Sequence, residues 1–309
     1  MKITHHLRRE NSGLFHTAAE ICEEEQRQGH QICIHEPSLD EPTLDDFPNE
    51  LPDVHCVHSQ FHMGAYHDGI PRVMWMHGEP LGSVGNGISM RAITDLAPLM
   101  DAFICMRKEE WPVWNAIKRT YVVPKGIDLN RFIPLDPAPP KLTGDPAILY
   151  YENWRGQRNP LTLCIAMLEV VKKLPHAKLH LYNCPGGKMG ETFQNLIAHC
   201  RWATFVKSLM GSETDVNRLL NRADIVVSCL HPLYARGIEA FGAGKAFIGP
   251  GYKEACYPYT CDLEPHSMAN AIIRAHEEQG KLNFRQWAVA HHNVADTVKA
   301  SVDVYRRYL

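Results

Sequence analysis

The sequence has no apolar segment of the roughly 18–20 residues that a membrane-spanning helix needs. Its N-terminus, MKITHHLRRE, also lacks the apolar core of a secretory signal peptide. From these two absences we expect a cytoplasmic protein that is not integral to a membrane. The chain has 309 residues, of which 45% are hydrophobic and 22% are charged, as in soluble globular proteins with room for two domains.

The sequence contains no Cys-x-x-Cys pair, although it has 10 cysteines. Most of them lie inside apolar runs such as residues 32–34, ICI, where a thiol serves as a small buried hydrophobe in a reducing compartment. The 18 histidines include a local group of His55, His58 and His62. In a strand, His55 and His58 point to opposite faces, which is poor geometry for a shared metal. We therefore expect no protein-bound metal and no cofactor.

The net charge of −3 conceals an asymmetry between the two halves. Residues 1–140 contain 12 Lys+Arg and 20 Asp+Glu, whereas the remaining residues contain 20 and 15. A basic second half suits a phosphorylated ligand. The acidic first half argues against docking of that half on an anionic membrane or on nucleic acid.

Short apolar runs alternate with helical patterns along both halves, which predicts parallel α/β sheets. The Pro-rich segment 136–144, DPAPPKLTG, is predicted to be the linker between them. An apolar stripe predicts one closing helix over 284–308. The predicted strands are Lys2–His6, Gln31–His35, Val54–His58, Arg72–Met76, Ala102–Met106, Tyr121–Val123, Ala147–Tyr151, Lys178–Tyr182, Trp202–Phe205 and Ile225–Cys229. The other predicted helices are Leu14–Arg27, Ala92–Leu99, Pro160–Leu174, Glu191–His199 and Ser212–Asn221.

Three segments carry recognisable motifs. Residues 237–248 read GIEAFGAGKAFI, residues 124–134 read PKGIDLNRFIP, and residues 149–160 read LYYENWRGQRNP. The first resembles the Glu-Ala segment with which retaining glycosyltransferases of GT-B fold bind their donor. The second resembles the Pro-Asn-Gly-Val-Asp-x-x-x-Phe-x-Pro signature that closes the N-terminal domain of glycosyltransferase family 4, and the third resembles the Phe-Val-Gly-Arg-x-x-x-x-Lys segment that opens the second domain. The chain therefore resembles glycosyltransferase family 4.

The resemblance implies an α/β protein of GT-B fold, in which two Rossmann-like domains face each other across a cleft and the last helix crosses back. On this basis residues 1–138 form the acceptor-side domain and residues 145–285 bind the nucleotide sugar. Residues 286–309 then pack back on the first domain.

The resemblance also implies the donor-binding residues. Glu239 opens a helix and accepts hydrogen bonds from the ribose hydroxyls, a task that suits a carboxylate because it offers acceptors only. A purely structural alternative is that a glutamate in the first helical turn is stabilised by the macrodipole. Arg158 aligns with the lysine that grips the donor diphosphate, and Arg155 replaces the charge of the family's arginine, which is Asn153 here. Cations are needed because negative charge develops on the departing nucleotide. The alternative is a solvated basic loop.

The sequence departs from the family pattern eight positions before Glu239, where His231 replaces a first glutamate. The Gly-Phe-Gly loop that normally follows is Pro232-Leu233-Tyr234. A histidine can still bond a sugar hydroxyl, so His231 is expected in the donor pocket; a solvent-facing histidine at the end of a strand is the alternative. The departure leaves the transferred sugar undefined and also fits an inactive relative.

In the first half, Gly13 lies between the first strand and the first helix, where a small residue lets the backbone approach the donor. His77 follows the strand Arg72–Met76 at the place where the family often carries a histidine that faces the sugar. A structural histidine is the alternative. Gly82 and Ser83, in the glycine-rich loop EPLGSVGNG, are assigned to acceptor contact.

The activity implied is transfer of a hexose or pentose from a nucleoside diphosphate sugar to an acceptor hydroxyl, with retained anomeric configuration. Catalysis is expected to involve His77, Arg158 and Glu239, without a side-chain nucleophile. The alternatives are a nucleotide-sugar epimerase of GT-B fold and a non-catalytic GT-B scaffold or binding protein. The acceptor is open among carbohydrates, small molecules, proteins and modified nucleic acids, as is the oligomeric state.

Overall fold

The structure is a computed structural model that describes residues 1–7, 13–35, 51–58, 69–77, 90–152, 160–182, 195, 197, 199–206, 213–229, 235–250 and 259–309. The chain divides into two compact units. Unit 1 comprises Met1–Gly126 and His292–Leu309, and unit 2 comprises Ile127–His291. Within the described residues, no helix combines the length and the apolar content that crossing a membrane requires.

Unit 1 is built on a parallel sheet with the strand order β2-β1-β3-β4-β5-β6. Its strands are β1 (Lys2–His6), β2 (Gln31–His35), β3 (Val54–Val57), β4 (Arg72–Met76), β5 (Ala102–Cys105) and β6 (Thr120–Val122). Its first three helices are α1 (Gly13–Arg27), α2 (Met90–Leu96, continued by a 3-10 turn over Ala97–Leu99) and α3 (Trp111–Ile117). Strand β2 lies on one side of β1 and β3 lies on the other, so the chain crosses β1 on its way from β2 to β3. The carboxyl ends of β1 and β3 therefore flank a topological switch point, where open α/β sheets bind ligands.

Unit 2 is built on a second parallel sheet, ordered β12-β11-β10-β7-β8-β9. Its strands are β7 (Ala147–Tyr150), β8 (Lys178–Tyr182), β9 (Ala203–Val206), β10 (Ile225–Val227), β11 (Ala246–Pro250) and β12 (Thr260–Cys261). Its helices are α4 (Leu161–Lys173), α5 (Glu213–Asn221), α6 (Ala235–Gly242), α7 (Pro265–Glu277) and α8 (Phe284–His291). The strands run out from β7 in both directions, so the switch point of this sheet lies between β7 and β10.

Both sheets are buried on both faces, which explains why the strands were predictable as short continuous apolar runs. In unit 1, Ile3, Val73 and Ile104 pack on one face, while Met74 and Phe103 pack on the other. The predicted α/β class is confirmed, and most predicted strands begin and end within two residues of the observed ones. Among the described elements, α3, α7 and the two-residue strand β12 were not predicted, and β11 was expected only as a strand after the Glu239 helix, without bounds. Both missed helices carry a proline in the first turn, which is a helix-start signal.

The prediction of a single closing helix over 284–308 is wrong, because two helices cover this region. Helix α8 belongs to unit 2, and α9 (Val294–Tyr305) belongs to unit 1, where it packs on the same apolar face as Ile3 and Val73. The break occurs at Asn293, whose side chain accepts a hydrogen bond from the Ala295 amide at 3.0 Å and so caps α9. The apolar stripe continues through this break and conceals it in the sequence.

The segment predicted as the linker, residues 136–144, lies in unit 2. The Leu142 amide donates to the carbonyl of Arg222 at 2.9 Å, and the Arg222 side chain donates back to the carbonyl of Pro140 at 3.0 Å. Lys141 pairs with Asp224 at 2.7 Å. These contacts attach the Pro-rich segment to the end of α5.

Candidate functional site

The switch point of unit 2 carries a group of polar side chains centred on Glu239. Tyr151 directly follows β7, and its hydroxyl donates to Oε2 of Glu239 at 2.8 Å. The Arg236 guanidinium donates to the same oxygen at 3.2 Å and lies over the Tyr151 ring, with Cζ 4.7 Å from the ring centroid. Burial, followed by the negative charge of Glu239, raises the pKa of Tyr151 well above its ordinary value of 10. Tyr151 therefore remains a neutral donor that orients the carboxylate.

The Glu239 carboxylate has one oxygen left for a ligand. Both of its contacts use Oε2, and Oε1 has no hydrogen-bond partner within the described residues. The side chain is 12% exposed. A carboxylate that is fixed on one oxygen and has no partner on the other offers preorganised acceptor lone pairs.

The expectation that Glu239 lies in the first turn of its helix is wrong. The described helix α6 begins at Ala235 and has no acidic residue in its first turn. Stabilisation by the helix macrodipole falls off within the first turn, so it does not account for this glutamate. Tyr151 and Arg236 hold the carboxylate instead.

A second polar pair lies at the same switch point. The Ser228 hydroxyl, just after β10, donates to the Glu152 carboxylate, just after β7, and both side chains are buried. Tyr151 and Glu152 both lie in the 149–160 motif, but neither they nor Arg236 were predicted as site residues. The position of Tyr151 and Glu152 directly after a buried strand was the signal that could have identified them.

The switch point of unit 1 carries a chain of hydrogen bonds that ends at His77. Glu25 Oε2 lies 2.6 Å from His5 Nε2, His5 Nδ1 lies 2.8 Å from His58 Nε2, and His58 Nδ1 lies 2.8 Å from His77 Nε2. The first three side chains are almost fully buried, whereas His77 is partly exposed at the carboxyl end of β4. We call Glu25, His5, His58 and His77 the histidine relay. The Trp75 ring stacks on both His58 and His77.

A separate histidine cluster lies around His6. His6 Nδ1 is 3.1 Å from His35 Nδ1, and His6 Nε2 is 2.9 Å from His55 Nδ1. His55 thus bonds to His6 while His58 bonds to His5, which confirms that His55 and His58 point to different sides of the sheet. His62 lies outside the described residues.

The buried Cys22 lies beside the inner end of the relay. Potential ligand atoms of Cys22, His5 and Glu25 lie within 4.8 Å of one another. The 2.6 Å contact between His5 and Glu25 has the length of a charge-assisted hydrogen bond. We therefore assign these side chains to the hydrogen-bond network.

Acid is expected to destabilise unit 1 because three of its histidines, His6, His58 and His77, stay neutral in the folded state. Burial and the neighbouring His55 and His35 lower the pKa of His6 to about 3. Burial and the positive charge of Lys125 lower the pKa of His77 to about 3. Burial and His5 lower the pKa of His58 well below 6.5. As the pH falls below 6.5, the unfolded chain binds protons that the native unit does not, and each histidine removes up to about 1.4 kcal/mol of stability per pH unit.

His5 acts in the opposite direction, since its pKa is raised: its contribution is complete below pH 6.5 and fades as the pH rises through the folded value. It therefore cannot offset the loss on the acid side. Urea unfolding of unit 1, followed by pulsed hydrogen exchange in β1, β3 and β4 at pH 7.5, 6.0 and 5.0, should show a falling midpoint. A constant or rising midpoint would contradict neutral burial.

The other predicted site residues are placed as follows. Gly13 is the first residue of α1 in unit 1. Gly82, Ser83, Arg155, Arg158 and His231 lie outside the described residues. The structure therefore brings Glu239 to one switch point and His77 to another, each within its own unit.

No protein-family model and no curated protein matches the chain. Solved structures do match over nearly the whole length. A glycosyltransferase from Rickettsia africae ESF-5 has a TM-score of 0.72 at 13% identity, covering 99% of this chain and 98% of that one. Anabaena HepE, solved in complex with UDP and glucose, has a TM-score of 0.72 at 12% identity, covering 99% and 100%.

The sucrose-phosphate synthase of Thermosynechococcus elongatus is a third similar structure, with a TM-score of 0.70, 14% identity and coverage of 99% and 98%. At these identities the similarity concerns the fold. The two parallel sheets, each with its own switch point and helices, give this chain the GT-B fold of the glycosyltransferases it resembles.

Proposed function

We propose that the chain is a glycosyltransferase that transfers a sugar from a nucleoside diphosphate sugar to an acceptor hydroxyl, with retention of anomeric configuration. The observation that carries the proposal is the Glu239 group: a carboxylate at the switch point of unit 2 that is fixed on Oε2 and has no partner on Oε1 within the described residues. This arrangement suits the diol of a ribose, which offers two donors to one carboxylate. A similar structure, that of Anabaena HepE, was solved with UDP and glucose.

In this proposal Glu239 binds the ribose, and Arg158 with Arg155 neutralises the diphosphate. His231 and His77 contact the sugar, Gly13 allows close approach of the backbone, and Gly82 and Ser83 contact the acceptor. The leaving phosphate helps to accept the proton of the acceptor hydroxyl, so no side-chain nucleophile is needed. We propose no protein-bound metal and a cytoplasmic location.

Thermal stabilisation by a panel of nucleoside diphosphates and their sugars tests this function. One nucleotide should raise the melting temperature of the wild-type protein, because a ligand at 100 times its Kd adds about 2.7 kcal/mol of stability. Glu239→Ala should weaken that ligand at least about tenfold, the value of one lost charge-assisted hydrogen bond. Glu239→Gln keeps the side-chain shape and tests the charge separately.

Glu169→Gln is the matched control, since Glu169 lies in the same unit and, within the described residues, bonds only to His266 on the surface. It should bind the nucleotide as the wild type does. If no nucleotide stabilises the wild-type protein, the transferase proposal fails and a non-catalytic GT-B scaffold replaces it. Once the donor is identified, the anomeric proton coupling of the product, measured by NMR, distinguishes retention from inversion.

A further inference from the structure

The histidine relay is continuous, so its protons cannot be placed independently. Each of its three contacts joins two heavy atoms 2.6–2.8 Å apart, and each such contact holds one proton. A neutral imidazole has one N–H and one lone pair. The protonation of His5 therefore determines, through His58, which nitrogen of His77 carries the proton.

Two proton arrangements satisfy all three contacts. If the Glu25–His5 pair carries no extra proton, His5 Nδ1 accepts from His58 Nε2, and His58 Nδ1 accepts from His77 Nε2. His77 is then left with a lone pair on Nδ1. If the pair carries one more proton, as an imidazolium at His5 beside the Glu25 carboxylate, His5 still donates from Nε2 to Glu25, but both histidine–histidine bonds reverse. His58 then donates from Nδ1 to Nε2 of His77, and His77 carries its proton on Nδ1.

The surroundings of Glu25 select the second arrangement. The side chains of Glu25 and His5 are both 0% exposed, so the first arrangement would bury an uncompensated negative charge. The second carboxylate oxygen of Glu25, Oε1, is buried without a hydrogen-bond partner among the described residues. An imidazolium at His5 is the group that balances this carboxylate.

The groups around the relay agree with this assignment. Around His5 lie Cys22, Cys56 and Tyr305. Burial raises the pKa of Cys56 to about 12 and that of Tyr305 well above 10, so both are neutral near pH 7. Burial by itself lowers the pKa of His5, but Glu25 raises it well above 6.5. Burial, and after it the positive charge of Lys125, lowers the pKa of His77 to about 3 and keeps it neutral; Nζ of Lys125 lies 2.6 Å from Thr17 Oγ1.

We infer that Glu25, His5 and His58 are positioning residues that hold His77 in its neutral Nδ1–H form, so that His77 offers a hydrogen-bond donor to an oxygen of a bound sugar. Nδ1 of His77 has no hydrogen-bond partner within the described residues, and the ring is partly exposed. The identity of the ligand rests on the proposed function, whereas the tautomer does not.

NMR of protein labelled with ¹⁵N-histidine tests the tautomer without any ligand. At pH 7.5, His5 should show two protonated nitrogens, and His77 should show a protonated Nδ1 and an unprotonated Nε2. Single substitutions assign the signals, and the exposed His176, whose ring has no hydrogen-bond partner within the described residues, serves as the reference for an unconstrained ring. A neutral His5, or a His77 protonated on Nε2, overturns the inference. His58→Phe removes the donor to His77 and should move its proton to Nε2; an unchanged tautomer also overturns it.

A binding experiment tests the donor role separately. His77→Asn places an amide N–H near the position of Nδ1 and should keep the affinity for the nucleotide sugar within about threefold. His77→Ala should lower it at least about tenfold, while the affinity for the free nucleoside diphosphate stays unchanged. Equal losses for Asn and Ala overturn the donor role. If the wild type binds no nucleotide, the proposed function fails while the tautomer result still stands.

Discussion

Replacing Gly126 with alanine should lower the free energy of unfolding of unit 1 by about 3 kcal/mol or more, at the upper end of overpacking effects. A Cβ atom at this position would lie 2.5 Å from the amide nitrogen of Val294 and 2.6 Å from the carbonyl carbon and oxygen of Asn293. All three are backbone atoms, which cannot rotate away as a flexible side chain would.

The backbone beside Gly126 is held on both sides of the contact. The Thr297 hydroxyl donates to the carbonyl of Pro124 at 2.8 Å, and His292 Nδ1 donates to the carbonyl of Lys125 at 2.7 Å. Asn293 caps α9, so moving it would also remove the cap. Relief of the clash therefore requires that α9 separate from the rest of unit 1.

Hydrogen exchange in β1, β3 and β4 measures this loss, and Gly29→Ala is the matched control. Gly29 also lies in unit 1, ends α1 with a φ of 85°, and has no atom within 4 Å of the Cβ it would acquire. Its replacement should cost about 1–2 kcal/mol for the left-handed backbone alone. A greater loss for Gly29→Ala than for Gly126→Ala would refute the close-approach argument.

The reason why position 126 requires a glycine could not be predicted from the sequence. The 124–134 motif contains this glycine, yet Gly126 has no left-handed φ that would require one. The glycine is needed because the backbone of residues 293–294, more than 160 positions later, passes within contact distance. A local sequence pattern can indicate that a position requires glycine, but here the steric requirement comes from residues 293–294, which are distant in the sequence.

In the candidate sites, too, features that depend on local sequence were predictable, whereas contacts between distant segments were not. The apolar run that forms β7 predicted that Glu152 follows a strand, because buried parallel strands can be recognised in a sequence, and the motif placed Glu239 on a helix after β10. The partners Tyr151 and Glu239 are 88 positions apart, and His5 and His58 are 53 apart. Such pairings depend on which strands are neighbours in the sheet, and a single sequence does not contain that order.

Arg285 links the fold of unit 2 to its candidate site. Nη1 donates to the carbonyls of Phe132 at 2.5 Å and Gly242 at 2.9 Å, and Nη2 donates to that of Leu129 at 2.7 Å. Gly242 is the last residue of α6, the helix that carries Glu239. The last carbonyls of a helix lack internal partners, and a cation there also complements the macrodipole.

Arg285→Met should destabilise unit 2 by about 3 kcal/mol or more, because three carbonyls lose their donor at a cost of about 1–3 kcal/mol each when buried. Methionine retains the apolar stem, so the loss reports the hydrogen bonds. The stability of Arg285→Lys should fall between that of Arg285→Met and that of the wild type, since a lysine cannot reproduce the planar fork.

Arg274→Met is the control. The Arg274 side chain is 58% exposed and bonds Glu278 one turn away, so its replacement should cost less than about 1 kcal/mol. Hydrogen exchange in α6 measures the loss of stability in the helix that carries Glu239. Protection of α6 that survives Arg285→Met would show that Tyr151 and the apolar core hold this helix without the arginine.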